Sequence, residues 1–196
     1  MALQLPILLN EEIVFDRKLT LTEGNLQGRT HKGIPFVYSR LKLNRQDAAA
    51  VLIFNTESRK IILTRQYRYA IASRTPEPIL EIMAGKVDPG EEPVETGIRE
   101  SLEECGYRIG KENIHHLASF FASPGYTSEK YHLYYATVCN ADRITAGGGL
   151  EEEHENIEVV EMDPARFWKM AEQGLLEDGK TLTAALLVKS KGLSTF

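Results

Sequence analysis

The chain has 196 residues, 42% of them hydrophobic and 26% charged, which is the composition of an ordinary water-soluble protein with one sizeable core. Its net charge of −5 and the lack of any run of lysine or arginine exclude non-specific nucleic-acid binding, because such binding depends on neutralising phosphates. No apolar run reaches the roughly 18–20 residues that span a bilayer, and residues 1–10 do not resemble a signal peptide, so we expect a cytoplasmic protein without a membrane partner.

The N-terminal residues 1–45 alternate short β-rich pieces with turn signals. The pieces lie at residues 13–15, 19–21 and 36–38, and the turn signals lie at residues 23–25 and 32–33. Short strand patterns separated by turn residues predict an antiparallel meander. A segment of this size cannot bury a hydrophobic core of its own, so we expect an appended β-subdomain.

Residues 46–196 mix strand and helix patterns and form the second predicted domain. Strands are predicted at residues 48–54, 61–64, 117–122 and 131–138, and helices at residues 92–105, 164–176 and 181–189. The helix at 164–176 is amphipathic, and its predicted inner side consists of Phe167, Trp168, Met170, Ala171 and Leu175. Because the strands are mostly linked as hairpins, the pattern favours an α+β arrangement of layers.

Three glutamates, Glu100, Glu103 and Glu104, lie three and four positions apart in the predicted helix at 92–105 and therefore share one face. Like charges at this spacing destabilise an isolated helix by roughly 0.2–0.5 kcal/mol per pair. A hard divalent cation with oxygen ligands, Mg²⁺ or Mn²⁺, would reverse this repulsion. Arg99 precedes Glu103 by four positions and can hold one carboxylate in place. The alternative interpretation is a solvated acidic helix face.

The glutamates belong to a longer motif that runs from Gly85 to Tyr107. Its fixed positions are Gly85, Glu91, Arg99, Glu100, Glu103, Glu104 and Gly106. The motif resembles the Nudix box at every fixed position, and it departs from the box at Ser101 and Tyr107, where the family has aliphatic residues. The resemblance implies a Nudix α/β/α sandwich with a mixed sheet, to which residues 1–45 add an N-terminal antiparallel β-subdomain. It also implies a pyrophosphatase that uses Mg²⁺, with Mn²⁺ as the alternative.

Segments outside the motif resemble one branch of the Nudix family, the ADP-ribose and nucleoside-diphosphate-sugar pyrophosphatases. They lie at residues 65–68, 80–85, 123–129 and 146–153, and the last is closest in character to GDP-mannose and UDP-glucose pyrophosphatases. The resemblance implies hydrolysis of a nucleoside diphosphate sugar, such as GDP-mannose, ADP-ribose or UDP-glucose, to a nucleoside monophosphate and a sugar phosphate. It also implies a homodimer in which residues 1–45 serve dimerisation.

The same resemblance assigns roles to individual residues. The implied metal ligands are Glu100, Glu104, the backbone carbonyl of Ala84, Glu103 and Glu155. The implied catalytic set is Glu153, as the base that activates water, with Arg99 and Glu103. The implied substrate contacts are Arg68 on the diphosphate, Glu81 near the nucleoside and Glu129 near the phosphates.

Several alternatives remain open from the sequence. The catalytic base is one of Glu151, Glu152, Glu153 and Glu155, of which Glu153 matches the family loop by position. The substrate could instead be an oxidised nucleoside triphosphate or a dinucleoside polyphosphate. A third hypothesis is a non-catalytic domain that binds nucleotide sugars as a regulator. Such a domain would be expected to lose carboxylates of the box, and all of them are present here.

Overall fold

The computed structural model describes residues 5–150, 152 and 155–193, and these form two compact units. The first unit holds the described residues up to Asp47 together with Phe121–Lys130. The second unit holds Ala48–Phe120 and the described residues from Tyr131 onward. Within the described ranges, no helix is long and apolar enough to cross a membrane.

The first unit is built on a three-stranded antiparallel sheet, which confirms the predicted meander. Its strands are β1 (Ile7–Asp16), β2 (Thr20–Arg29) and β3 (Pro35–Asn44), with β2 in the middle. The predicted turn at residues 23–25 is wrong, because these residues lie inside β2, where Gly24 is opposite Glu11 and Arg40. Strand pairing on both sides outweighs the turn preference of the glycine.

The second unit contains a mixed sheet and three helices. Its strands are β4 (Ala48–Asn55), β5 (Lys60–Gln66), β6 (Ile79–Glu81), β7 (Met83–Lys86), β8 (Ile114–Phe121), β9 (Lys130–Val138) and β10 (Glu158–Met162). The strand order is β10-β5-β4-β9-β8, with β6 paired to β5 and β7 paired to β4. Strands β4 and β9 run parallel, whereas β4 pairs with β5 and β7 in antiparallel fashion. The helices are α1 (Pro93–Cys105), α2 (Pro164–Glu172) and α3 (Gly179–Ser190).

Helices cover both faces of this sheet, as the alternation of side chains along β4 demonstrates. Ala50, Leu52 and Phe54 enter one buried cluster, which they share with the inner residues of α2 and α3. The intervening residues Ala49, Val51 and Ile53 enter the opposite cluster, which includes the C-terminal residue of α1, Cys105. Successive strand residues point to opposite faces, so a strand that is apolar throughout requires a core on each side. The α/β/α sandwich with a mixed sheet is therefore confirmed.

Both departures from the aliphatic pattern of the box are accommodated inside this core. The buried Ser101 hydroxyl donates a hydrogen bond to the Gly97 carbonyl at 2.6 Å, within its own helix. The buried Tyr107 hydroxyl accepts a hydrogen bond from Asn55 Nδ2 at 3.3 Å. Gly97 itself lies close to the sheet, since an added Cβ would be 3.0 Å from Val51 Cγ2. The glycine thus permits close packing of α1 on β4.

The helix predicted at residues 164–176 is shorter in the structure. It ends at Glu172, and Gly174 follows with a φ of +67°, a left-handed conformation that terminates helices. After this turn Leu175, predicted to face the core, is 56% exposed, and the neighbouring Leu176 is buried instead. The prediction for Leu175 is wrong because it extended the helical period past the glycine that ends the helix.

Gly106 ends α1 with a φ of +81°, and an added Cβ there would overlap the backbone carbonyl of Thr145. We expect Gly106→Ala to lower the free energy of unfolding by about 2–3 kcal/mol, through left-handed strain plus the backbone clash. Urea unfolding followed by circular dichroism measures this change.

The matched control is Gly174→Ala, at another helix-terminating glycine with positive φ that has nothing within 4 Å of an added Cβ. Its free energy of unfolding should fall only by the cost of the left-handed conformation, about 1 kcal/mol. Equal losses in the two variants would mean that the contact with Thr145 does not matter.

Candidate active site

Arg99 in α1 is the centre of a cluster of carboxylates. Its Nε and Nη2 donate to the two carboxylate oxygens of Glu91 at 3.3 and 3.2 Å. Its Nη1 donates to Glu100 Oε1 at 2.8 Å and to Glu103 Oε2 at 3.1 Å. The hydrogen bonds from Arg99 hold the pKa of Glu91 below its ordinary value. The sequence predicted that Arg99 holds one carboxylate, whereas in the structure it holds three.

The Glu100 side chain occupies the space that Gly85 leaves free. A Cβ added at Gly85 would overlap the Glu100 carboxylate, so every other residue at position 85 would displace this group. Gly85 lies in β7, and α1 packs on this strand, which explains why the motif pairs a glycine with a glutamate fifteen positions later. Burial raises the pKa of Glu100, and the Arg99 guanidinium opposes this effect.

Glu104 is the most deeply buried carboxylate of the box. Within the described ranges, no group donates a hydrogen bond to its side-chain oxygens. Burial, together with repulsion from Glu100 and Glu155, raises the pKa of Glu104 to about 8, while the cations Arg68 and Lys180 act in the opposite direction. The repulsion requires that Glu100, Glu104 and Glu155 lie near one another, so the structure brings the predicted loop glutamate to the box.

A glycine loop at residues 147–149 is hydrogen-bonded to the end of α1 and precedes Glu155 in the chain. Gly147, Gly148 and Gly149 all have positive φ, between +71° and +111°, which favours glycine at each position. Gly148 N donates to the Glu104 carbonyl at 2.8 Å, and Gly149 N donates to the Glu103 carbonyl at 3.2 Å. These bonds satisfy carbonyl groups at the end of α1 and anchor the loop to the box residues themselves. The predicted base Glu153 lies outside the described residues.

Arg68 and Glu81 belong to a second charged cluster, close to Glu104. Arg68 Nε and Nη2 donate to the two oxygens of Glu81 at 3.0 and 2.7 Å, and Lys180 Nζ donates to Glu81 Oε2 at 2.8 Å. Lys180 Nζ also lies 3.0 Å from Asp178 Oδ2. Burial alone would raise the pKa of Glu81, but the hydrogen bonds and charges of Arg68 and Lys180 hold it below its ordinary value.

Comparison with known proteins identifies the family of the chain. The model of the NUDIX domain matches residues 44–186, which is most of the chain. The chain belongs to the Nudix family. It is similar to GDP-mannose pyrophosphatase of Escherichia coli (strain K12), with 30% identity over 177 residues that cover 89% of this chain and 90% of the relative. It is 29% identical, over the same shares, to GDP-mannose pyrophosphatase of Salmonella arizonae (strain ATCC BAA-731 / CDC346-86 / RSK2980).

The fold is likewise similar to a solved structure. The crystal structure of an ADP compounds hydrolase superposes on this Nudix hydrolase with a TM-score of 0.77 and 25% sequence identity, covering 98% of each chain. Because the match covers 98% of this chain, it includes the N-terminal three-stranded sheet as well as the sandwich.

Nudix hydrolases generally need a divalent cation, and the carboxylates of this one fit such an ion. In the described ranges no three His, Cys, Asp or Glu side chains are grouped as a ready-made metal cage. The structure offers instead the neighbouring carboxylates Glu100 and Glu104, whose burial disfavours their charge. Mg²⁺ is commonly held by one or two carboxylates, with waters and substrate phosphates completing its shell. The donor set of this Nudix hydrolase agrees with that pattern.

Lys180 and Asp178 are charged groups of the site that the sequence analysis missed. A signal was present, because a lysine in the first turn of a helix opposes the helix dipole and requires a partner. Its partner Glu81 is 99 residues away in sequence, so spacing could not reveal the pair.

Glu129 lies in the first unit, where its Oε1 accepts a hydrogen bond from Arg45 Nη2 at 3.3 Å. Its role near the phosphates stays a prediction.

Glu104→Gln is expected to stabilise the metal-free protein at about pH 8.5. The folded pKa of Glu104, about 8, lies above its ordinary value of 4.5, so its contribution to stability is complete below pH 4.5 and is lost as the pH rises through 8. An uncharged amide removes this loss, and we expect a Tm higher by about 2–4 °C, a difference that disappears near pH 4. The variant should also lose the rise in Tm that Mg²⁺ produces in the wild type.

Differential scanning calorimetry with and without Mg²⁺ measures both effects. Glu95→Gln is the control, because Glu95 lies on the same helix in an exposed pair with Lys111. That variant should leave the response to Mg²⁺ intact. If Glu104→Gln were still stabilised by Mg²⁺ as strongly as the wild type, Glu104 would not be a ligand.

Proposed function

We propose that this Nudix hydrolase cleaves the diphosphate bond of nucleoside diphosphate sugars, of the GDP-mannose, ADP-ribose or UDP-glucose type, releasing a nucleoside monophosphate and a sugar phosphate. The observation that carries the proposal is the likeness to GDP-mannose pyrophosphatases over about nine-tenths of both chains, well beyond the box itself. The fold similarity to an ADP compounds hydrolase supports a substrate with a nucleoside diphosphate part.

The carboxylates and one backbone group are proposed to hold Mg²⁺, or Mn²⁺, which accepts the same oxygen ligands. The proposed ligands are Glu100, Glu104, the carbonyl of Ala84, Glu103 and Glu155. When bound, the cation would neutralise charge on the diphosphate and acidify a bound water. Support comes from the buried Glu104, which lies one turn from the partly buried Glu100, and from Arg99, which orients Glu100 and Glu103. Arg99 acts in this proposal as a positioning residue.

Glu153 is proposed as the base that takes the proton from the attacking water. The segment that contains it begins at Leu150 and ends at Glu155, and these two residues are tied together. Glu155 N donates to the Leu150 carbonyl at 3.3 Å, and Leu150 N donates to Glu155 Oε2 at 3.3 Å. Because the preceding glycines are bonded to the end of α1, both ends of the segment are held near the box.

Substrate binding is proposed to use Arg68 on the diphosphate, with Glu81 near the nucleoside and Glu129 near the phosphates. A guanidinium can hold two phosphate oxygens at once, which makes arginine suited to this role. Arg68 supports the proposal by its place: it lies within electrostatic reach of Glu104, and its side chain is partly exposed.

A panel of substrates tests the reaction. We expect turnover of at least one of GDP-mannose, ADP-ribose and UDP-glucose with Mg²⁺, loss of turnover with EDTA, and a nucleoside monophosphate plus a sugar phosphate as products. Chromatography of the products distinguishes this from release of pyrophosphate. Turnover of an oxidised nucleoside triphosphate or a dinucleoside polyphosphate, without turnover of any nucleotide sugar, would replace the substrate class and leave the Nudix chemistry in place.

The same assay tests the base. Glu153→Gln should lower kcat by about 10²–10⁴-fold, because the amide cannot accept the proton. Glu152→Gln, the same change one position earlier at an exposed residue, is the control and should stay within about threefold of the wild type. The opposite ranking of the two variants would assign the base to Glu152.

We further propose a homodimer that forms through residues 1–45, the predicted N-terminal domain. Support comes from β1, in which every residue is exposed. Its exposed apolar side chains include Ile7, Leu8, Leu9, Ile13 and Phe15. A strand that exposes so many large apolar groups is typical of a protein interaction surface.

Ile13→Glu should convert the dimer to a monomer, because it buries a charge in the interface. Light scattering after size exclusion measures the mass. Asn10→Glu in the same strand, at a position that is already polar, is the control and should remain dimeric. A monomeric wild type would contradict the proposed dimer.

A further inference from the structure

Lys180, the second residue of α3, carries a buried ammonium group, with 5% of its side chain exposed. The place is unfavourable for a cation in two respects, since burial disfavours charge and the start of a helix carries positive potential. Two carboxylates offset these costs, with Lys180 Nζ 2.8 Å from Glu81 Oε2 and 3.0 Å from Asp178 Oδ2. The ammonium group is therefore held in one position.

Glu81 shares its carboxylate between two cations that differ in exposure. Arg68 bonds to both oxygens, and Lys180 bonds to Oε2. The side chains of Glu81 and Lys180 are 4% and 5% exposed, whereas that of Arg68 is 42% exposed. Glu81 and Lys180 thus form a fixed buried pair, and Arg68 is the member at the surface that has room to move.

Arg68 is also the guanidinium of the site with donors left for a ligand. Arg99 uses Nε, Nη1 and Nη2 on carboxylates of the box. Arg68 uses Nε and Nη2 on Glu81, and within the part of the chain that the structure describes its Nη1 donates no hydrogen bond. A diphosphate that takes the Nε and Nη2 edge as well must displace Glu81 from it.

We propose that Lys180 is a positioning residue for substrate binding: it keeps the buried Glu81 carboxylate neutralised, so that Arg68 can turn from Glu81 to the diphosphate. The inference rests on the proposed function, in which Arg68 contacts the diphosphate. Without Lys180, the same movement would leave a buried carboxylate with no cation at hydrogen-bond distance among the described residues, which is strongly unfavourable. With Lys180 present, Glu81 keeps an ion pair throughout.

The start of α3 does not depend on the Lys180 ammonium group. Ile82 N donates to Thr181 Oγ1 at 2.8 Å, which joins the helix to the segment after β6. Asp178 caps the helix by accepting a hydrogen bond from Thr181 N at 3.0 Å. These contacts remain when Lys180 is replaced by an apolar side chain of similar length, so such a variant isolates the charge.

Lys180→Met is expected to raise the KM for the nucleotide sugar about tenfold and to change kcat by less than about threefold, because binding is weakened while the reacting groups stay in place. Steady-state kinetics at fixed Mg²⁺ measures the two constants. Lys189→Met is the matched control, as Lys189 lies on the same helix in an exposed pair with Glu172. It should leave both constants unchanged. An unchanged KM in Lys180→Met, or a fall in kcat alone, would overturn the inference.

A second substitution distinguishes positioning from a purely structural role. In Glu81→Gln the buried carboxylate is gone, so adding Lys180→Met to that variant should change its KM by less than about threefold, whereas the same change in the wild type raises KM about tenfold. Should Lys180→Met fail to fold, Lys180→Gln, an uncharged side chain of nearly the same length, takes its place in both backgrounds with the same expected pattern. An equal rise in KM in the wild-type and Glu81→Gln backgrounds would overturn the inference.

Failure of the proposed function has a different signature from failure of this inference. Absence of wild-type turnover on every nucleotide sugar would overturn both. An active wild type whose KM does not respond to Lys180→Met, or whose response is equally large in the Glu81→Gln background, overturns only the role of Lys180. Calorimetric titration with a methylene-bisphosphonate analogue of the cleaved sugar nucleotide provides the same comparison without turnover, and Kd should follow the pattern expected for KM.

Discussion

Burial of like-charged carboxylates on one face of α1 is the constraint on which the site depends. Glu100 and Glu104 lie one helical turn apart, and burial and repulsion by neighbouring carboxylates both raise their pKa values. The repulsion on Glu104 comes from Glu100 and Glu155, and that on Glu100 comes from Glu103 and Glu155. Arg99 balances one side of the cluster through its bonds to Glu91, Glu100 and Glu103. The Glu104 side has no such partner in the described ranges. A fold that holds this arrangement keeps the proposed cation site at the expense of its own stability.

The scaffold meets this constraint through close backbone approaches. Gly85 leaves space for the Glu100 carboxylate, Gly97 lets α1 pack on β4, and Gly106 turns the chain at the end of the helix. The glycine loop at 147–149 then bonds to the carbonyls of Glu103 and Glu104. Side-chain position in the box is thus controlled from both ends of one helix, by contacts that tolerate no added Cβ at Gly85 and Gly106.

In the second charged cluster, unlike in the box, each buried charge has a partner of opposite sign. Glu81 and Lys180 are buried as an ion pair, which Asp178 and the exposed Arg68 extend in two directions. Breaking a buried pair by removing one partner is far more costly than exchanging the surface partner. The buried pair of Glu81 and Lys180 therefore stays in place, while the Arg68 guanidinium at the surface is able to change partners. The carboxylates of the box are electrostatically strained, whereas the charges of this cluster are paired, and the two clusters lie within electrostatic reach of each other.

The sequence by itself determined what depends on short-range spacing. Pro93 and Gly106 bound α1, the spacing of Glu100, Glu103 and Glu104 places them on one face, and the box identified the family and through it the sandwich. Local signals failed where distant partners decided the outcome, as at Gly24, which is paired on both sides within a sheet. Only the tertiary structure revealed three carboxylates on Arg99 and the ion pair between Glu81 and Lys180. The physical reason is the same in each case: helix periodicity is a property of neighbours in sequence, whereas burial and charge pairing depend on which distant segments pack together.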